Sequence, residues 1–482
     1  MANHFDVVIV GAGISGINAA YRLQSTLPHL SYTILEARES IGGTWDLFNY
    51  PGIRSDSDLF TFGYEWYPWD SENPIAEGHA IAQYMKNAAA RFGIDKKILL
   101  RHRLLGADWS SPDHAWRLEL DASGDTKGIT ARFLVFATGY YDYHTPLAAE
   151  IAGLEAFEGQ VVHPQFWPSD LKYTGKKFVV IGSGATAITL VPKLAKQGAT
   201  VTMLQRSPTY IVSVPNSSAR SWLSYLLPRT QYRRLQRLYM ISTSRLFFLF
   251  CRSMPGIARA LLRRQVISQL PKSVPYDPHF QPRYNPWEQR LCVCPDGDFF
   301  KSLHSGHVQI RTDTIRTVTS SGIELSSGEH LDSDVIVTAT GLRLKVAGGV
   351  RISINGHHHD VPSKFLWHGM MQQDLPNAAF LIGYTNASWT LGADATSHFI
   401  CRLLQEMDKR DAKSVVPRLD ISEAELLEER PLLNLNSTYV AKAAGDLPKA
   451  GNRGPWQPRD HYWKDLSLAK KGNLDEGLEF VR

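Results

Sequence analysis

Acidic residues are missing from one long stretch of this chain: between Leu171 and Tyr276 there is no Asp and no Glu. Cysteine is scarce as well, with four in 482 residues, at 251, 292, 294 and 401. No two form a CxxC pair, which argues against a disulfide framework, a zinc ribbon and a dithiol redox centre, and for a reducing compartment. Long apolar runs are also lacking. The N-terminus enters a buried-strand pattern at about Phe5, leaving no room for a signal peptide, so a cytoplasmic protein is expected. A formal charge of +5 is too small at this length to argue for a nucleic-acid partner, and no finger or RNA-binding signature accompanies it. With 43% hydrophobic and 21% charged residues, what remains is a globular protein of two or three domains.

Phe5 to Val10 is an apolar run, the next six residues read GAGISG, and INAAYRLQSTL follows with helical spacing. Strand, tight turn and helix in that order make a dinucleotide loop. Gly11 permits the turn, Gly13 lets backbone approach a pyrophosphate, and Gly16 allows close packing of helix on strand, with Ser15 in the same loop and the helix N-terminus facing the phosphates. The second strand, YTILE, ends in Glu36, where this unit places an acid for ribose hydroxyls. The unit then recurs. KKFVVI (176–181) leads into GSGATA, which contributes Gly182, Ser183, Gly184, Ala185 and Thr186, then a helix and the strand VTML. At its end stand Gln205, Arg206 and Ser207 instead of an acid. A guanidinium pairs with a 2′-phosphate that an acid would repel, so the second unit is expected to take NADPH and the first FAD. The plainer alternative for Arg206 is a solvated surface arginine. VFATGY (135–140, with Thr138 and Gly139) and VTATGL (337–342) each end an apolar strand, and both are expected in the FAD domain, flanking an inserted NADPH domain.

Between the two units lies FEGQVVHPQFWP (157–168). It resembles the fingerprint of the Baeyer-Villiger monooxygenases, Phe-x-Gly-x-x-x-His-x-x-x-Trp-Pro, through Phe157, Gly159, His163, Trp167 and Pro168; the Thr common after the His is Pro164 here. GGTWDLFNYPGIRSDSD carries a second pattern of that family on Gly43, Trp45, Tyr50, Pro51, Gly52 and Asp56. Over nearly the whole chain, PGIRSDSD, VTMLQRSPTYIVS, PRYNPWEQRLC, PDGD and VTATGL are similar to the ethionamide-activating subgroup. The resemblance implies an α/β fold of two Rossmann-like domains: FAD-binding residues 1–145 and 336–482, and an NADPH domain at 146–335 containing a helical insert at 216–275. It implies that Gly43, Thr44 and Trp45 contact FAD and that Arg290 holds a deprotonated flavin peroxide. By the same resemblance Asp56 orients that arginine, His163 links domain movement to catalysis, and Trp167 and Asp56 count among the cofactor contacts. Gln289 stands where many relatives carry a Lys that grips the 2′-phosphate. The implied reaction uses NADPH and O2 to oxidise ketones to esters through a C4a-peroxyflavin, with organosulfur substrates as a further class. Other readings stay open: oxidation of sulfur or nitrogen as the main activity, hydroxylation of long alkyl chains, or a nucleotide-binding sensor without turnover. For Arg290 the alternative is a structural ion pair, and for Asp56 a helix N-cap after the Pro-Gly turn.

The acid-free stretch is basic, with arginines at 220, 229, 233, 234, 237, 245, 252, 259, 263 and 264 among apolar residues. On a helix Arg234, Arg245 and Arg252 share one face, and Pro255-Gly256 is expected to break it. The apolar segments fall short of the roughly 20 residues that a membrane span requires. Two readings remain: a half-buried cover over the substrate entrance, its arginines solvated or facing NADPH, or a peripheral membrane contact through 216–270.

Overall fold

A strand covered on both faces has to be apolar at nearly every position. In the computed structural model of the chain, which describes residues 4–217, 223–433 and 435–482, VVIV at the end of His4–Val10 (β1) is buried. Ile14–Thr26 (α1) leads to Tyr32–Glu36 (β2), buried throughout. β1 and β2 pair in parallel, Val7 opposite Tyr32 and Val10 opposite Leu35. A short helix, Leu59–Phe62 (α2), precedes the strands Ile98–Leu100 (β3), His102–Ser110 (β4), Ala115–Ala122 (β5) and Asp125–Phe136 (β6). β6 serves twice. Its first half closes an antiparallel hairpin with β5, and its second half lies parallel to β1, Phe136 opposite Val10.

The chain then builds a second sheet from Gln160–Val162 (β7), Lys177–Ile181 (β8) and, after the helix Ala185–Lys196 (α3), Thr200–Gln205 (β9). Ile211–Val214 (β10), the helices Arg229–Ser253 (α4) and Pro255–Ile267 (α5), and Cys292–Pro295 (β11) form an excursion in which β10 and β11 pair as a parallel ribbon. Val308–Thr312 (β12) and Val335–Thr338 (β13) complete the sheet, in the order β12-β9-β8-β13-β7 with every pair parallel. The return segment supplies Arg351–Ile354 (β14), His357–His358 (β15), Ala378–Phe380 (β16) and Trp389–Lys409 (α6). The first sheet runs β15-β14-β4-β5-β6-β1-β2-β3, with β16 also on β6, and α6 packs on α1.

One dinucleotide unit is thus inserted in another, as the sequence implies, but the junction differs. The sequence reading puts VTATGL and everything from residue 336 in the first domain; the structure puts β13 in the second sheet, between β8 and β7. The cause is steric. The carbonyl oxygen of Ala339 lies 2.3 Å from where a Cβ on Gly182 would stand, as that of Ala137 lies 2.6 Å from the same point on Gly11. Each Ala-Thr-Gly therefore backs the first glycine of its own domain's loop. The outgoing and returning chains then run side by side, Asp142 N–H donating to Arg343 O at 2.8 Å and Lys345 N–H to Tyr140 O at 3.0 Å.

The insert is helical and breaks at Pro255, as expected. Arg220 lies outside the described residues. The arginines are not all solvated: Arg237 is buried, its Nη1 donating to the carbonyls of Phe60, Thr61 and Gly63 at 2.8, 2.9 and 2.7 Å, which satisfies the C-terminal end of α2. No helix of the described residues is long and apolar enough to cross a membrane.

Candidate active site

Two nucleotide clefts follow from the loops. At Gly16 a Cβ would stand 1.9 Å from Gly11 O, so only glycine lets α1 seat against β1. α1 begins at Gly13 with no side chain capping its amides. Glu36 accepts hydrogen bonds from the N–H groups of Ala12 (2.8 Å) and Arg38 (3.0 Å), and burial pushes its pKa up. Gly11, Gly13, Glu36, Gly43 and Thr138 line one cleft. Uncapped helix amides, close backbone and a carboxylate with lone pairs to spare fit the adenosine diphosphate half of FAD. Other predicted FAD residues sit around this cleft: Ser15 Oγ accepts from Trp389 Nε1 (3.0 Å), Thr44 Oγ1 bonds Tyr143 Oη (3.0 Å), Trp45 meets Phe62 edge-on, and Gly139 turns the chain at φ +68°.

The second loop repeats the plan. α3 starts uncapped at Gly184, where a Cβ would meet nothing within 4 Å, and Ala185 and Thr186 form its first turn. Ser183 Oγ donates to Ser207 O (2.8 Å), tying the phosphate loop to the turn after β9. Arg206 in that turn is exposed and makes no hydrogen bond or ion pair with the described residues, a cation available to a phosphate. Gln289 is engaged elsewhere, donating to Asn436 O (3.4 Å). These residues fit NADPH.

The fingerprint spacing has a mechanical explanation. A Cβ on Gly159 would stand 2.5 Å from Asp334 O and from the Phe157 ring, so glycine lets β7 dock beside β13. His163 leaves that strand with Nδ1 accepting from Gln165 N–H (3.2 Å), and the buried Gln165 amide donates to Asp142 O (2.7 Å) in the outgoing crossover. His163 Nε2 is buried without a hydrogen-bond partner, and burial lowers the pKa of the ring. Trp167 is anchored in the second domain: its indole donates to Tyr173 Oη (2.9 Å) while its ring packs on that domain's core.

Arg290 stands two residues before β11 and reaches into the first domain. Its Nε donates to Thr385 O (3.2 Å) and its Nη2 to Tyr384 O and Ala387 O (3.4 Å each), leaving Nη1 without a partner. The guanidinium and Asp56 line one cavity of about 400 Å³, walled by Val212, Met240, Ile241 and Leu391 among others. Among the described residues no ion pair joins the two; three carbonyls hold the guanidinium by hydrogen bonds, and Asp56 acts on it through its charge. Nor does Asp56 cap a helix; Asp58 caps α2, accepting from Thr61 N–H at 2.9 Å. Burial raises Asp56 to about 6, against the pull of Arg290 and Arg54. For Arg290 burial opposes the charge, but Tyr140, Tyr439, Tyr141 and Asp56 together hold its pKa above the ordinary value.

Sequence reasoning missed the supports of this site. Arg54 pairs with Asp298 at 2.5 Å, tying PGIRSDSD of the first domain to PDGD of the second. Both segments stood out in the sequence, but nothing local said they meet. Tyr140 stacks on Trp389 and its hydroxyl lies 2.6 Å from that of Tyr141. Tyr439 comes from a C-terminal segment readable only as loop.

A profile of the pyridine nucleotide-disulphide oxidoreductase family matches residues 8–238. The four cysteines are free and buried, and no two of them form a CxxC pair. The chain is 45% identical over 485 residues to the FAD-containing monooxygenase EthA of Mycobacterium tuberculosis, covering 100% of this chain and 99% of that one. It is 44% identical over 481 residues to the probable FAD-binding monooxygenase AlmA of Acinetobacter baylyi, covering 99% and 96%. Among solved structures, an oxidized steroid monooxygenase bound to NADP matches with a TM-score of 0.76 at 21% identity, over 99% of this chain and 100% of that one. OTEMO in complex with FAD and NADP matches with 0.75 at 18%, over 100% of both. At these identities the structural likeness is one of fold.

Proposed function

The chain belongs to the FAD-containing monooxygenases, and from that premise we propose that it uses NADPH and O2 to oxidise ketones to esters, a Baeyer-Villiger oxidation, with organosulfur oxidation as a side activity. The balance is ketone + O2 + NADPH + H⁺ giving ester + NADP⁺ + H2O. When bound, FAD would supply the redox chemistry between NADPH and O2, the transferred oxygen coming from O2. The observation that carries the reading is Arg290, a cation pinned by three carbonyls with Nη1 left for the cavity.

Attack on a ketone needs an anionic oxygen and loads negative charge onto the carbonyl oxygen, whereas a thioether, itself nucleophilic, needs an electrophilic one. A fixed cation on the cavity wall, held in place by backbone carbonyls, favours the first case. The carbonyls hold Arg290 before substrate arrives, so no reorganisation is required at the moment of reaction. The apolar wall of Val212, Met240, Ile241 and Leu391 suits an apolar ketone. Arg206 takes the 2′-phosphate of NADPH, and the hydrogen bonds from His163 through Gln165 to Asp142 couple the fingerprint to the crossover between domains. Parallel incubations of FAD-loaded enzyme and NADPH with a linear methyl ketone and with a thioether test this. Ester formed in step with NADPH oxidation supports it; sulfoxide with no ester from the ketone moves the assignment to heteroatom oxygenation.

A further inference from the structure

Among the described residues, 17 large apolar side chains are exposed, and 12 of them lie between Tyr225 and Ile267. On α4 they are ordered. Leu235, Tyr239, Leu246 and Leu249 follow one another at steps of four, seven and three, so they share one side of the helix, and Met254, Ile257 and Leu261 continue the apolar surface onto α5. This is the reverse of a solvated helix face, where the apolar side points inward. Arg234 and Arg252, about five turns apart, point the same way and border the stripe, and Arg264 follows Ile257 by two turns on α5. All three are exposed and without ion pairs among the described residues. Of the acids that other elements bring to α4, Asp70 and Asp460 are taken by Arg229 and Arg245, and Glu288, which lies in the field of Arg252, is held by hydrogen bonds from Asn285.

We infer that this outer face of α4 and α5 seats the enzyme on an anionic lipid surface, with the mouth of the active-site cavity opening beside it. Charge complementarity selects the occupant. A second copy of the chain docking through the same face would set arginine against arginine with no acid of the stretch to pair them. An anionic bilayer offers phosphates to the arginines and acyl chains to the leucines. The cavity shares the wall: the inner side of α4 contributes Met240 and Ile241, while Phe247 and Trp463 both line the cavity and are exposed. Those two rings mark a mouth at the edge of the stripe, so an apolar substrate dissolved in lipid enters without crossing water. The docking itself does not depend on which oxidation the site performs.

FAD-loaded enzyme is sedimented with vesicles of phosphatidylcholine alone and of equal parts phosphatidylcholine and phosphatidylglycerol, without NADPH or substrate. Binding to the anionic vesicles is expected, at least roughly tenfold tighter than to the neutral ones and released by high salt. R234Q/R252Q is expected to weaken it by about 25-fold, on the order of fivefold per arginine. L246E/L249E is expected to abolish it while leaving flavin content and melting temperature unchanged, since neither side chain lines the cavity or the core. Equal binding to both vesicles, no binding, or unimpaired binding by L246E/L249E would each overturn the inference. So would a lipid-free dimer, seen by light scattering, that L246E/L249E dissociates, because the face would then be a self-interface.

Discussion

Replacing Arg290 by alanine should separate oxygen consumption from oxygen transfer. The guanidinium contacts neither nucleotide loop; it is anchored on Tyr384, Thr385 and Ala387 carbonyls and presents Nη1 to the cavity. Removing one preorganised donor aimed at developing charge costs about 3–4 kcal/mol, or roughly 10²–10³ in rate. Ester formation should fall by that factor, while NADPH oxidation and oxygen uptake persist and end as hydrogen peroxide. Arg290→Lys sharpens the test. An ammonium is a compact charge that can bond the carbonyls or face the cavity, not both, so an intermediate loss of about tenfold is expected. The assay couples NADPH absorbance, a peroxide dye and gas chromatography of the ester. An alanine variant that makes ester within about threefold of the parent rate would refute the electrostatic role, since the preorganised-donor argument requires a far larger loss.

Three further outcomes follow from the same geometry. Asp56 is raised from 3.8 to about 6, so the folded state holds its proton more tightly than the unfolded one and stability is lost as pH rises through that window; D56N should be more stable than the parent in urea at pH 8 by about 1–3 kcal/mol and equal to it at pH 3. Arg206→Ala removes the cation left for a 2′-phosphate and should raise KM for NADPH about tenfold with little change for NADH, read from initial rates. Arg237→Met strands three carbonyls at the end of α2 and should cost about 2–4 kcal/mol, seen in a chain of this length as a melting temperature lower by roughly 2–4 °C.

The parts of this site that are contiguous in the chain are legible in the sequence. GAGISG with Glu36, and GSGATA with Arg206, each compress strand, turn and helix into about 30 residues, and the glycines are dictated by contacts a Cβ would violate. What the sequence hides is tertiary. VTATGL looks like VFATGY because both back a nucleotide loop, yet each serves its own domain, so the likeness misplaces the boundary. Asp56 and Arg290 suggest a pair by family pattern, but backbone carbonyls from a loop some 95 residues away do the holding, and backbone acceptors leave no residue-type signal. Arg237 is one arginine among ten in a basic stretch, and only packing against α2 separates it from those that face outward.

The most direct measurement is isotopic. Purified FAD-loaded enzyme, NADPH and a linear methyl ketone under ¹⁸O2 should yield an ester with a single ¹⁸O at the bridging position and one ester for each NADPH oxidised. An ester without label, or NADPH oxidation that gives only labelled hydrogen peroxide while a thioether is readily converted to labelled sulfoxide, would contradict the account.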